Sequence, residues 1–207
     1  MTNFNSKPSV VYGYHGLDED VAYEILNNKS EFLLSDNTYD WLSGGVYFWE
    51  NNFERAMAYA EESSCRKSSN IKKPFVLGAV IDLGVCLDLL DHRDIGLVKE
   101  AYLSFAEFSN NSTNPILPTN SSFNPSANDL MKRELDCAVI SYAKELAKQN
   151  GIIFDTVRSA FQEGQPIYPS ANFYDKTHIQ IAVINPKCIR GIYLPRGNNI
   201  SPFIIKQ

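Results

Sequence analysis

No Gly-x-Gly-x-x-Gly occurs in the 207 residues. A doubly wound fold that cradles a dinucleotide on a glycine-rich turn is therefore excluded. Basic residues are in deficit, 19 Lys and Arg against 24 Asp and Glu, giving a net charge of −5. Broad non-specific nucleic-acid binding needs clustered cations to displace counterions, so it is excluded too, although a small basic groove is not. The four cysteines, Cys65, Cys86, Cys137 and Cys188, form no Cys-x-x-Cys pair. Free thiols in a reducing compartment are expected rather than disulfides. Histidine is scarce: His15, His92 and His178 stand far apart with no His-x-His or His-x-x-x-His spacing, so no metal site is expected. No apolar run approaches the roughly 20 residues that span a bilayer, and no membrane partner is expected. The first ten residues, MTNFNSKPSV, hold no apolar core of a signal peptide. A cytoplasmic location is the expectation.

What is present is apolar and aromatic. The hydrophobic fraction is 44%, enough for a core of its own. Val10–Gly16 predicts a β-rich strand stopped by glycine. Asp18-Glu19-Asp20 then places acids at the start of an apolar-periodic run, Val21 to Leu26, as at a helix N-terminus. Ser35 to Ser43 is turn-rich, and Gly44-Gly45 opens a strand, Val46-Tyr47-Phe48-Trp49. Phe53 to Glu62 has helical spacing, with Ala56, Tyr59 and Ala60 on one face. Phe75 to Leu90 gives the strongest strand signal, with a turn or bulge at Asp82 to Gly84.

Residues 92 to 150 differ in character. Ile95 to Phe108 and Leu130 to Leu146 have amphipathic helical spacing, separated by an Asn/Ser/Pro-rich loop from Ser109 to Ser126. Gly151 fits the residue after the second helix. Strand patterns return at Ile152 to Phe161, Ile179 to Ile184 and Ile189 to Leu194. Strands, then helices, then strands predict an α+β fold with a mainly antiparallel sheet. The expectation is a single domain over 1–207 with a helical insertion at about 92–150.

A strand ending His15-Gly16, a helix, a loop, then Gly45-Val46-Tyr47-Phe48 running toward a helix resembles the poly-ADP-ribose polymerase branch of the ADP-ribosyltransferases. Leu77-Gly78-Ala79-Val80-Ile81-Asp82-Leu83-Gly84 is similar to that family's next strand. The resemblance covers about residues 10 to 90 and resumes loosely near 152 to 194. The whole chain is also similar to a group of uncharacterised bacterial proteins with YHG, DWLxxGxYFWE and HIQI motifs. The resemblance implies a split antiparallel sheet of the ADP-ribosyltransferase type, with NAD as the bound molecule and substrate.

It also implies roles. Tyr47 would form the floor under the nicotinamide, a flat cation that a tyrosine face attracts, and Tyr59 would be the lid. The Gly16 backbone would offer one donor and one acceptor to the carboxamide, and His15 would bond a ribose hydroxyl of the adenosine half. Phe48 joins these as a binding residue. The family's hydroxyl residue after His-Gly is here Leu17. In the polymerases a late-strand glutamate grips the ribose 2′-OH and stabilises the oxocarbenium-like cation that forms when the C1′–N bond breaks. Gln180, in Thr177–Val183, falls where that glutamate would. A neutral amide fits single transfers rather than chain elongation. Glu163, in the preceding loop, would act as base toward the acceptor, or is a solvated loop acid. Arg158 would meet a pyrophosphate or form a surface ion pair. Asp40-Trp41 and Trp49-Glu50 would shape a wall.

The implied function is a mono-ADP-ribosyltransferase, with NAD hydrolysis as the same chemistry on water. A catalytically silent NAD- or ADP-ribose-binding module is the second expectation, motivated by Gln180 and Leu17. A helical protein-interaction domain built on residues 92 to 150 is the third. The partners implied are NAD, a macromolecular acceptor (protein or nucleic acid) and, as for bacterial toxins and phage-defence effectors of this type, an antitoxin.

Overall fold

The computed structural model describes residues 9–111, 117–122 and 130–197. The fold is α+β, with seven strands in an open, mostly antiparallel sheet ordered β4-β5-β6-β2-β1-β3-β7 and four helices among the described residues. The chain divides into two compact units. The first holds residues 9–32, Phe48–Asp82 and residues 189–197; the second holds Leu33–Tyr47 and Leu83–Cys188.

In the first unit, β1 (Val10–Asp18) pairs along its length with β3 (Pro74–Asp82), and β7 (Ile189–Tyr193) adds to the far side of β3. The strand β2 (Val46–Glu50) meets β1 at Gly13–Glu50 and Tyr14–Trp49. β3 reads as a near-continuous apolar run because helices cover both its faces. Helix α1 (Glu19–Leu26) buries Ala22 and Ile25 against Leu17, Phe75 and Leu77. Helix α2 (Phe53–Ser64) buries Ala56 against Trp49 and Val76.

The start of α1 is fixed by one carboxylate. Asp18 accepts hydrogen bonds from the backbone N–H of Asp20 at 3.0 Å, Lys72 at 2.7 Å and Lys73 at 3.0 Å. Burial pushes this carboxyl up, but the three N–H bonds outweigh burial and hold it below the ordinary aspartate value. A depressed folded-state pKa gives stability that is present above the unfolded value of 3.8 and is lost as pH falls through the lower folded value. Asp18→Ala is expected to cost about 1–2 kcal/mol in urea unfolding at pH 7 through the lost cap. The difference from the native chain should shrink as pH falls below 3.8; a gap that stays constant with pH would refute the carboxylate's role.

In the second unit, β4 (Cys86–Asp88) runs parallel to β5 (Thr156–Phe161), and β6 (His178–Val183) is antiparallel to β5. Helices α3 (His92–Asn110) and α4 (Glu134–Gln149) pack on each other. The core is Leu42, Leu87, Ile140, Val157, Phe161 and Ala182.

Several boundaries move from the sequence expectation: β1 runs past Gly16 to Asp18, α3 begins at His92 rather than Ile95, and two further shifts have visible causes. Helix α4 begins at Glu134, not Leu130, because a distant side chain caps it. Asn120 Oδ1 accepts from the N–H of Leu135 at 2.9 Å and of Asp136 at 3.2 Å, while Lys132 pairs with Ser121 as an isolated bridge. β5 begins at Thr156, not Ile152. Ile152 and Ile153 are exposed, and the Asp155 backbone carbonyl is taken by the N–H of Ile184 and Asn185. The expected loop from Ser109 to Ser126 starts later, since α3 runs to Asn110; its residues 112–116 and 123–126 lie outside the described residues. None of the four cysteines is in a disulfide; Cys137 and Cys188 are buried and Cys65 is exposed.

Candidate functional site

The first unit carries four of the residues singled out in the sequence. His15, on β1, is half-buried and packs edge-on against Phe32, with ring centres 5.1 Å apart, and tilted against Phe48 at 5.6 Å. Phe48 is 0% exposed, so it presents no surface to a ligand; its ring supports that of His15. Tyr59, on α2, lies against Trp49 at 4.9 Å, and Trp49 also takes the Arg55 guanidinium at 5.6 Å.

Gly16 lies under α2. A Cβ there would collide with the Ala56 carbonyl oxygen and press on the Ala60 methyl at 3.2 Å. Helix–strand packing is by itself a sufficient reason for the glycine. Gly16→Ala is expected to lower stability by roughly 1–3 kcal/mol through overpacking. A thermal melt within a degree of the native chain would show that α2 shifts freely.

The second unit carries Tyr47, Gln180 and Glu163. The β5–β6 register sets Ser159 opposite Gln180 and Phe161 opposite His178. Directly opposed residues of an antiparallel pair share a face, and residues two apart on a strand share it as well. Gln180 and His178 therefore stand on the face of Val157, Phe161 and Ala182, against which Tyr47, Trp41 and Leu42 pack. The phenol of Tyr47 accepts from the N–H of Leu42 at 2.9 Å and donates to the carbonyl of Ser43 at 2.6 Å. Burial raises the phenol above the ordinary tyrosine value, so it stays neutral through the physiological range.

Gln180 is 9% exposed, and its Oε1 is buried with no hydrogen-bond partner. Burying such an oxygen without a partner costs roughly 1–3 kcal/mol, which a hydrogen bond from a bound ligand or water would offset. Glu163 is also buried, 6% exposed, with Oε2 3.7 Å from His178 Nδ1. The solvated-acid expectation for Glu163 is therefore corrected: its loop folds back, with the Lys176 N–H bonded to the Glu163 carbonyl at 3.1 Å. His178 Nδ1 lies 2.6 Å from the Lys176 carbonyl, which can only accept, so Nδ1 carries the hydrogen. The imidazole stacks on Trp41 with centroids 6.2 Å apart, and Trp41 in turn takes the Arg133 guanidinium at 4.1 Å.

Arg158 corrects the sequence expectation. It is 8% exposed and its Nη1 sits 3.3 Å from both carboxylate oxygens of buried Asp88, so it forms an internal pair rather than a surface one. The sequence reading also missed His178, Trp41 and Arg133 as one stack. A stack assembled from three separate segments has no local spacing to betray it. The HIQI motif alone puts His178 and Gln180 on one face, and that alternation was available.

A cavity of about 470 Å3 opens in this unit, lined among others by Trp41, Leu42, Arg133, Val139, Ser159 and Phe161. Trp41, expected from the sequence to shape a wall, lines it, whereas Tyr47, Gln180 and Glu163 do not. Among the described residues no group of three or more His, Cys, Asp or Glu is placed to hold a metal ion, and no helix is long and apolar enough to cross a membrane. No protein-family model, curated protein or solved structure matches the chain.

Proposed function

We propose that the chain is an NAD-dependent mono-ADP-ribosyltransferase of the ADP-ribosyltransferase fold. The observation that carries the reading is Gln180: an amide oxygen buried without a partner, on the strand position that the resemblance gives to the 2′-OH-gripping acid. In this reading the oxygen accepts from the ribose 2′-OH as the C1′–N bond lengthens. Nicotinamide leaves with the bond's electron pair, and the ribose carries the positive charge. The acceptor's oxygen or nitrogen then bonds to C1′ and its proton passes to Glu163, which stands buried beside His178. Tyr47, held at its hydroxyl by Leu42 and Ser43, offers its ring to the nicotinamide. The roles given to His15, Gly16 and Tyr59 are tested singly by NAD affinity.

Release of nicotinamide from NAD by the purified chain, followed by mass spectrometry of a cell lysate for an ADP-ribose adduct on protein or nucleic acid, tests the reading. Nicotinamide with no adduct identifies a glycohydrolase. Tight NAD or ADP-ribose binding with no nicotinamide identifies a silent binding module. The second reading is kept because an amide brings no formal charge to the cation. Neither release nor binding overturns both.

A further inference from the structure

We infer that Lys144 and Ser141 of α4 are positioning residues for Tyr47, acting through Ser43. The inference rests on the reading of Tyr47 as a ligand-stacking residue, and it adds to that reading a part of the chain to which the family resemblance does not extend. The chain of contacts is short. Lys144 Nζ donates to Ser43 Oγ at 2.9 Å, and the hydroxyls of Ser43 and Ser141 lie 2.7 Å apart. The carbonyl of the same Ser43 accepts the Tyr47 hydroxyl at 2.6 Å, and the preceding residue Leu42 donates its N–H to that hydroxyl at 2.9 Å.

The backbone explains why Ser43 needs holding. It has φ of 65°, in the left-handed region that a serine adopts at a cost. Its N–H bond to the Asp40 carbonyl is long, 3.3 Å. Two side-chain bonds from one helix turn make up for a weak local turn. Ser141 and Lys144 are three residues apart, so both lie on one face of α4. Ser43 is 3% exposed, and burial lowers the Lys144 ammonium below the usual lysine range. A lysine held in that way is spending solvation on the contact, unlike a surface lysine that snorkels into water. The ring of Tyr47 is therefore tied to α4 at its tip as well as to β2 at its Cα. A rigid floor suits a ring that must meet another flat ring, since an ångström of slack loses stacking contact.

The experiment combines Lys144→Met, Lys144→Arg, Ser141→Ala, Tyr47→Phe and the double variant Lys144→Met/Tyr47→Phe. Two readouts are taken. The 13Cζ resonance of Tyr47 in labelled protein without NAD reports the anchor directly. The KM and kcat of nicotinamide release report its use. Lys144→Met and Ser141→Ala are each expected to shift the Tyr47 resonance and raise KM roughly fivefold, with kcat within about twofold. Lys144→Arg, which keeps a donor, recovers most of the effect. In the Tyr47→Phe background Lys144→Met adds no further rise, because the path it acts through is gone. An unmoved Tyr47 resonance in both Lys144→Met and Ser141→Ala, or a full Lys144→Met effect in the Tyr47→Phe chain, overturns the inference. Should the native chain release no nicotinamide, the catalytic reading falls instead. The Tyr47 resonance alone then decides the positioning.

Discussion

Gln180→Ala is expected to reduce nicotinamide release from NAD by about two to three orders of magnitude, the loss that follows when one preorganised group at a developing charge is removed. Gln180→Glu should keep or raise turnover, since a carboxylate stabilises a cation better than an amide does. Glu163→Gln should abolish transfer to the acceptor while leaving part of the water-driven hydrolysis, because a base is needed most where the nucleophile must lose its proton. Stability separates these effects from misfolding. The Gln180 oxygen is buried and unpartnered, so Gln180→Met, which keeps the volume and removes the oxygen, should raise the unfolding free energy by up to about 1–2 kcal/mol. Activity lost together with stability gained is the mark of a polar group retained for function. If Gln180→Met is both as active as the native chain and less stable, the residue is a structural one and the assignment of the 2′-OH grip is wrong.

The parts of the fold that local chemistry dictates could be read from the sequence. The acids before Val21 do begin a helix, α1, because the Asp18 carboxylate caps it. The continuous apolar stretch from Phe75 does form a strand covered on both faces. Gly151 follows α4 with φ of 80°, as a residue after a helix does. What went astray depended on distant partners. The N-terminus of α4 is set by Asn120, 15 residues from Leu135, and no periodicity within the helix contains that information. The site divides in the same way. Tyr47, Gln180 and Glu163 were selected by a resemblance of short motifs. The burial of Glu163 was not foreseen because a stretch reading Gln-Glu-Gly-Gln is polar throughout. The return of the chain, marked by the Lys176 to Glu163 bond, brings its carboxylate beside His178. Phe48 was selected by its place in the motif, and its full burial gives it the different task of backing His15.

Asp88→Ala is expected to be the most destabilising single substitution among those considered, at about 3–5 kcal/mol, because it strips the carboxylate from a guanidinium that stays buried. Asp88 is 5% exposed and Arg158 8%. The two face each other across β4 and β5, whose parallel register sets Asp88 against Arg158. Parallel pairing of β4 covers only three residues, Cys86 to Asp88, with Leu87 buried in the core beside it. The Asp88 carboxylate also accepts the N–H of Leu90 at 3.1 Å, just before α3 begins, so its loss should loosen the entry to that helix as well. The double variant Asp88→Leu/Arg158→Met tests whether the pair itself is worth anything. Exchanging a buried ion pair for apolar groups of similar volume is often neutral or stabilising, since both desolvation costs vanish with the attraction. The double variant should therefore recover most of the stability that Asp88→Ala loses. Equal destabilisation in the two would mean that Asp88 acts mainly through its backbone bond to Leu90. Hydrogen exchange at the amides of α3 reports that bond directly: protection there should fall in both variants, since both lose the carboxylate that holds Leu90.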